Sequence, residues 1–216
     1  MSTTLTIATP AKRHKVKYLH CGGPTFRRHA QQFFGLASGD AVCYRRDNTL
    51  EDLVISHATQ CPWIHVGMIA WNADREEWEI IDTRQWRGGR RQSLIEAVRE
   101  NPGHWDHFAT NPGDRWPEYN RRLAVAKMDE FIDRNYGWGN LLRDALTHIP
   151  IVQAWFPVDL ADGSDGGDLP FCSQAFALAT RVGGGVDICP HRADRYTEPV
   201  HVVQSLFCEY RGTFVS

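Results

Sequence analysis

Nine residues, Trp63-Ile-His-Val-Gly-Met-Ile-Ala-Trp71, run almost entirely apolar and are rich in the β-branched and aromatic types that suit a strand. A polar stretch, Asn72–Glu77, follows, and Trp78-Glu-Ile-Ile-Asp-Thr83 then forms a second strand-like run. Two such runs joined by a short polar turn predict an antiparallel hairpin. Any fold available to this chain must therefore contain antiparallel sheet.

The remaining pattern mixes strands with helices. Ala41-Val-Cys-Tyr44, after the turn pair Gly39-Asp40, predicts a short strand, and His104–Thr110 and Tyr210–Phe214 predict two more. Thr49-Leu-Glu-Asp52 has capping-box spacing, with Leu50, Leu53, Val54 and His57 at helical spacing up to Pro62. Ser93-Leu-Ile-Glu96 opens a short helix by the same logic. The clearest helix is expected from Pro117 to Asn135, with Leu123, Ala124, Met128, Phe131 and Ile132 as its apolar stripe. Further helices are expected over Asn140–Ile149 and from Leu169 to Thr180, the latter ended by Gly183-Gly-Gly185. Asp159–Asp168 is a polar, glycine-rich loop. The first 35 residues, with Lys12, Arg13, Lys15, Lys17, Arg27 and Arg28, form a basic N-terminal extension, and residues 36–216 form one domain.

The chain holds 24 Lys+Arg and 26 Asp+Glu, a formal net charge of −2, which argues against a dedicated nucleic-acid binder. With 8 Trp, 6 Tyr and 10 Phe in 216 residues a sizeable core can form, so wholesale disorder is excluded. No apolar run approaches the ~20 residues of a transmembrane helix. The N-terminus, Met1–Pro10 followed by Lys12-Arg13-His14-Lys15, lacks the order of a secretory signal, so a cytoplasmic protein with free thiols is expected.

Six cysteines and ten histidines leave a choice between thiol and metal chemistry. Cys172 lies at the predicted start of a helix, where unpaired N–H groups and the dipole lower a thiol pKa and can hold an oxyanion. The competing reading is a small buried hydrophobe. His65, inside an otherwise apolar strand, is the candidate base, because a buried imidazole must find a polar partner. Asp82, on the next strand, is the candidate orienting acid. It shares a face with Trp78 and Ile80, while Glu79, the alternative, points the other way.

Gly39-Asp40 before a strand, then Pro62-Trp-Ile-His-Val-Gly-Met68, a carboxylate on the following strand, and Phe171-Cys-Ser-Gln174 together resemble the circularly permuted NlpC/P60 cysteine hydrolases of the YiiX/YaeF type. The segment Thr197–Ser205 is also similar to that family, and the likeness spans about residues 36–214. It implies an α+β, papain-like fold: an antiparallel sheet packed with helices. It further implies Cys172 as nucleophile, His65 as base and Asp82 as orienting acid in a thiol hydrolase that needs no cofactor or metal. Amide bonds of peptidoglycan stem peptides are the first substrate expected, with cell-wall muropeptides as partners and a secretion machine or phage particle as the route to the wall. A lipid acyl hydrolase or acyltransferase is the same-chemistry alternative, and a non-catalytic binding or structural protein is the alternative of another class. Three positions depart from the family pattern. Ile64 replaces a serine, Asp82 a glutamate and Gln174 a glutamate.

Other groupings carry weaker readings. His57, Cys61 and His65 are four apart, but Pro62 interrupts any helix that would align them as metal ligands, and His104 with His107 is a weaker pair still. The arginines Arg84, Arg87, Arg90 and Arg91 form either a solvated face or a surface for an anionic partner. Trp138 and Trp155 line a pocket or belong to the core.

Overall fold

The computed structural model describes residues 18–20, 35–46, 61–84, 87–134 and 171–215. The hairpin is its centre. Strand β3 (Trp63–Asn72) pairs antiparallel with β4 (Glu77–Arg84), and β4 with β5 (Gly88–Ser93). On the other side β3 pairs with β2 (Ala41–Arg45), which leads to β6 (Trp105–Thr110) and β7 (Cys208–Val215), all antiparallel. Strand β1 (Tyr18–His20), from within the basic lead-in, runs parallel to β7 at the edge. The sheet order is thus β1-β7-β6-β2-β3-β4-β5.

Helices cover both faces, which explains why β3 is apolar on both sides instead of alternating. Helix α1 (Leu94–Glu100) closes one core with Leu36, Val42, Ile69, Trp78, Ile80, Trp105 and Phe214. Helices α2 (Arg121–Asp129), α3 (Cys172–Leu178) and α4 (Pro199–Gln204) close the other, in which Cys43, Val66, Met68 and Ile81 of the sheet meet Met128, Phe176 and Val202. This is the α+β, papain-like arrangement that the motifs imply. Among the described residues no helix is long and apolar enough to cross a membrane.

Several local expectations are corrected. The helix expected over Pro117–Asn135 is only Arg121–Asp129, because Asn120 caps it by accepting from the Leu123 N–H at 3.0 Å. Its far end stops where residues 131–134 turn to run beside β5. There Gly89 N–H donates to Arg134 and Asp133 N–H to Gly89, both at 2.9 Å. Leu123, placed on the apolar stripe, is instead 45% exposed. Ser93 precedes α1 but makes no side-chain cap, because it is the last residue of β5, paired with Glu79. The glycines after α3 do more than stop it. A Cβ at Gly183 or Gly184 would stand 2.5 Å from the Leu123 carbonyl or the Tyr119 ring, so these positions let α2 approach closely. The helices expected after Thr49 and over Asn140–Ile149, the Asp159–Asp168 loop, Trp138 and Trp155 lie outside the described residues.

Candidate active site

The ladder between β3 and β4 ends at the Gly67–Asp82 pair, while β3 runs on to Trp63 beside β2 alone. Here the backbone N–H of Val66 points at the Cys172 sulfur at the start of α3, which also accepts from the Ser173 N–H and from His65. His65 Nε2 lies 2.9 Å from Asp82 Oδ2. An ionised carboxylate only accepts, so this nitrogen carries the proton and Nδ1 is left to serve Cys172. The structure therefore brings Cys172, from a helix much later in the chain, into one hydrogen-bonded chain with His65 and Asp82 of the β3–β4 hairpin.

Electrostatics separates Cys172 from its neighbours. Burial pushes its thiol up, but the adjacent His65, as charge and as hydrogen-bond partner, outweighs this with the two backbone N–H groups, and the net shift is down. His65 moves the other way. Burial lowers it, the Cys172 charge and the Asp82 bond raise it, and the imidazolium is favoured overall. These directions describe a thiolate–imidazolium pair. The other described cysteines are inert by the same physics. Burial raises Cys61 to about 12 and Cys189 to about 11, and drives Cys43 and Cys208 well up.

Burial alone does not choose between the carboxylates of β4, since Glu79 and Asp82 are both buried. Facing does. Alternation along the strand sends Asp82 to His65, whereas Glu79 meets Arg91 Nη1 at 2.7 Å and Asn72 Nδ2 at 2.9 Å on the opposite side. The same alternation on β5 resolves the arginine cluster, which is neither a purely solvated face nor an open anion surface. Arg90 sits opposite Asp82 in register and donates from Nε to Oδ1 at 3.1 Å, and Arg84 donates from Nε to Oδ2 at 3.0 Å. Gln92 adds a bond to Oδ2 at 3.2 Å and accepts from Arg90 Nη2 at 2.7 Å. Arg91, one residue out of phase, is engaged by Glu79 and, through two bonds, by Asp129. Burial opposes the Asp82 charge, but His65, Arg84 and Arg90 hold its carboxyl below the usual range.

Sequence reading missed Arg84, Arg90 and Gln92 as partners of Asp82. Their signal is the period of two: Asp82 with Arg84, and Arg90 with Gln92, share a face. It also left Asp40 as a motif residue without a role. Asp40 is fully buried and accepts from His107 Nε2 at 2.9 Å, Arg121 Nη1 at 2.8 Å, and the N–H groups of Thr110 and Ala37 at 3.0 Å. It ties the start of β2 to β6 and α2. His104 instead stacks on Tyr44, so the two histidines of His104–His107 serve separate partners.

An antiparallel sheet that splits to admit a cysteine at a helix N-terminus beside a histidine–carboxylate pair belongs to the papain-like class of α+β domains. No family model and no curated protein sequence matches the chain. Among solved structures it is similar to the crystal structure of metalloprotein yiiX from Escherichia coli O157:H7. The TM-score is 0.56 at 10% identity, over 82% of this chain and 96% of that one, so the likeness is one of fold. Among the described residues no group of three or more His, Cys, Asp or Glu side chains is placed to hold a metal ion. Of the His57–Cys61–His65 set, His57 lies outside the described residues, and His65 Nε2 is engaged by Asp82.

Proposed function

We propose that this chain is a thiol hydrolase with Cys172 as nucleophile, His65 as base and Asp82 as the acid that orients it. The observation that carries the reading is the continuous Cys172–His65–Asp82 hydrogen-bonded chain at the first residue of a helix. In the first half-reaction the Cys172 proton resides on His65 and the thiolate attacks a carbonyl carbon. The carbonyl oxygen becomes an oxyanion next to the backbone N–H of Cys172, one of the helix donors without an intrahelical acceptor. Collapse of this intermediate breaks the C–N bond, and the imidazolium gives its proton to the leaving amine. A water molecule, deprotonated by His65, then attacks the thioester, releasing a carboxylate and restoring the thiol. Asp82 keeps Nδ1 aimed at sulfur throughout.

The substrate class that the motif resemblance favours is an amide bond in peptidoglycan stem peptides. A close Cys172–His65 pair with opposed pKa shifts also supports turnover over a purely binding role, which has no need of a charged pair.

Purified protein incubated with muropeptides and, separately, with acyl esters tests the reading. At pH 7 a thiol titrating near 11 is ionised in roughly one molecule in ~10⁴, so iodoacetamide should modify Cys172 at least ~100-fold faster than Cys61 or Cys189. Cys172→Ala should abolish product from whichever substrate is cleaved. Equal labelling of the cysteines, or full activity in that variant, overturns the assignment. Cleavage of esters but not muropeptides moves the substrate to the lipid acyl class.

A further inference from the structure

Asp82 is bound on both oxygens by more groups than an orienting acid requires. Holding a histidine ring takes one carboxylate oxygen, yet here His65, Arg84 and Gln92 converge on Oδ2 and Arg90 takes Oδ1. The clamp is itself braced. The Arg84 guanidinium lies over the Trp105 ring at 5.4 Å, and Trp105 meets the His65 ring edge-on at 6.3 Å. Arg90 Nη2 reaches Gln92 Oε1, so both β5 donors are mutually fixed.

We propose that Arg84, Arg90 and Gln92 are positioning residues of the thiol centre, which fix the Asp82 carboxylate and share its charge so that it orients His65 without holding the His65 proton too tightly. This inference rests on the thiol-hydrolase reading. The reasoning is electrostatic. A bare buried aspartate would bind the imidazolium strongly and keep His65 charged far into alkaline solution, leaving a poor base for the deacylating water. Two guanidiniums on the same carboxylate offset that attraction. Among the described residues, the groups facing His65 are Cys172 from α3, Asp82 and Arg84 from β4, and, across the carboxylate, Arg90 and Gln92 from β5. Tyr44, paired with His65 in register on β2, and the Trp105 ring on β6 are uncharged neighbours among the described residues.

Alkylation of Cys172 by iodoacetamide as a function of pH reads this out without any substrate. A thiolate–imidazolium pair gives two rises in rate, the lower as Cys172 loses its proton and the upper as His65 does. Removing a positive charge near the imidazolium stabilises it, so Arg90→Gln should move the upper step upward by about 1 pH unit. Arg90→Lys, which keeps the charge, should leave that step near the wild-type position. A purely structural Arg90 would lower the melting temperature of Arg90→Gln without moving the upper step, and that result overturns the inference. Should Arg90→Gln fail to fold, Gln92→Leu removes one donor to Oδ2 and should shift the same step upward by a smaller amount; no shift again refutes the clamp. A wild-type profile with a single ordinary thiol step instead refutes the thiolate–imidazolium pair itself, so the two failures are distinguishable.

Discussion

Gly67→Ala probes the point where fold and chemistry meet. Gly67 lies between His65 and Ile69 on β3 and opposite Asp82 on β4. A Cβ there would stand 2.6 Å from Ile80 Cγ2, 3.2 Å from the Ile81 carbonyl oxygen and 3.3 Å from Asp82 Cβ. Optimal carbon–carbon contact is about 3.5–4.0 Å, so Ile80 must give by about 1 Å. It has nowhere to go, being fully buried between Ile69, Trp78 and Leu94. By backbone entropy alone alanine would stabilise a strand position by about 0.5–1 kcal/mol. The clash reverses the sign, and we expect a net loss of about 1–3 kcal/mol, typical of overpacking. For a chain of this size that is a fall of about 2–12 °C in melting temperature. The strain falls on β4 at Asp82 and lengthens its 2.9 Å bond to His65. With that bond weakened, the imidazolium loses support, and the upper step of Cys172 alkylation should move down. Thermal melts and pH-resolved alkylation measure both halves. Unchanged stability would refute the close-approach argument, and lost stability with an unmoved upper step would show that β4 relaxes without disturbing Asp82.

Three further outcomes follow from the same contacts. Glu79→Gln weakens the bond to Arg91 and should cost about 1–2 kcal/mol in urea unfolding, with Cys172 alkylation unchanged; altered alkylation would return Glu79 to candidacy as the orienting acid. Asp40→Ala strands His107 and Arg121 at a buried centre and should cost about 3–5 kcal/mol by denaturant titration; a loss below about 1 kcal/mol would deny that network its role in joining β2, β6 and α2. Asp40 and Asp82 are both held below their ordinary value of 3.8, so the stability they contribute is complete above that value and is lost as pH falls through their folded values. Urea midpoints should therefore drop steeply below about pH 4. Asp106, pushed up by burial, acts in the opposite sense, its contribution growing as pH falls towards the ordinary carboxylate value.

Legibility varied with the range of the interaction that decided each feature. The β3–β4 hairpin is legible because both runs are rich in β-branched and aromatic residues and a short polar turn allows one pairing only. The alternation that separates Asp82 from Glu79 is equally local, whereas burial is common to both and separates nothing. The helix over Pro117–Asn135 was read too long because its periodicity continues past Asp129. What ends it is a tertiary event, the turn of residues 131–134 onto Gly89.

Cys172 and His65 show the division most plainly. Sequence alone determined that a cysteine opens a helix and that a histidine interrupts an apolar strand, since both facts are local composition. It could not pair them. Their contact depends on β3 and β4 parting beyond Gly67–Asp82, and on α3 delivering its first residue into that gap. The same holds for the arginines, which look like a solvated charge run until register places Arg90 opposite Asp82 and Arg91 on the other face. Local pattern states which groups are available. Tertiary packing decides which charges meet away from water, and there His65 with two backbone N–H groups moves one thiol down while burial moves the other described ones up.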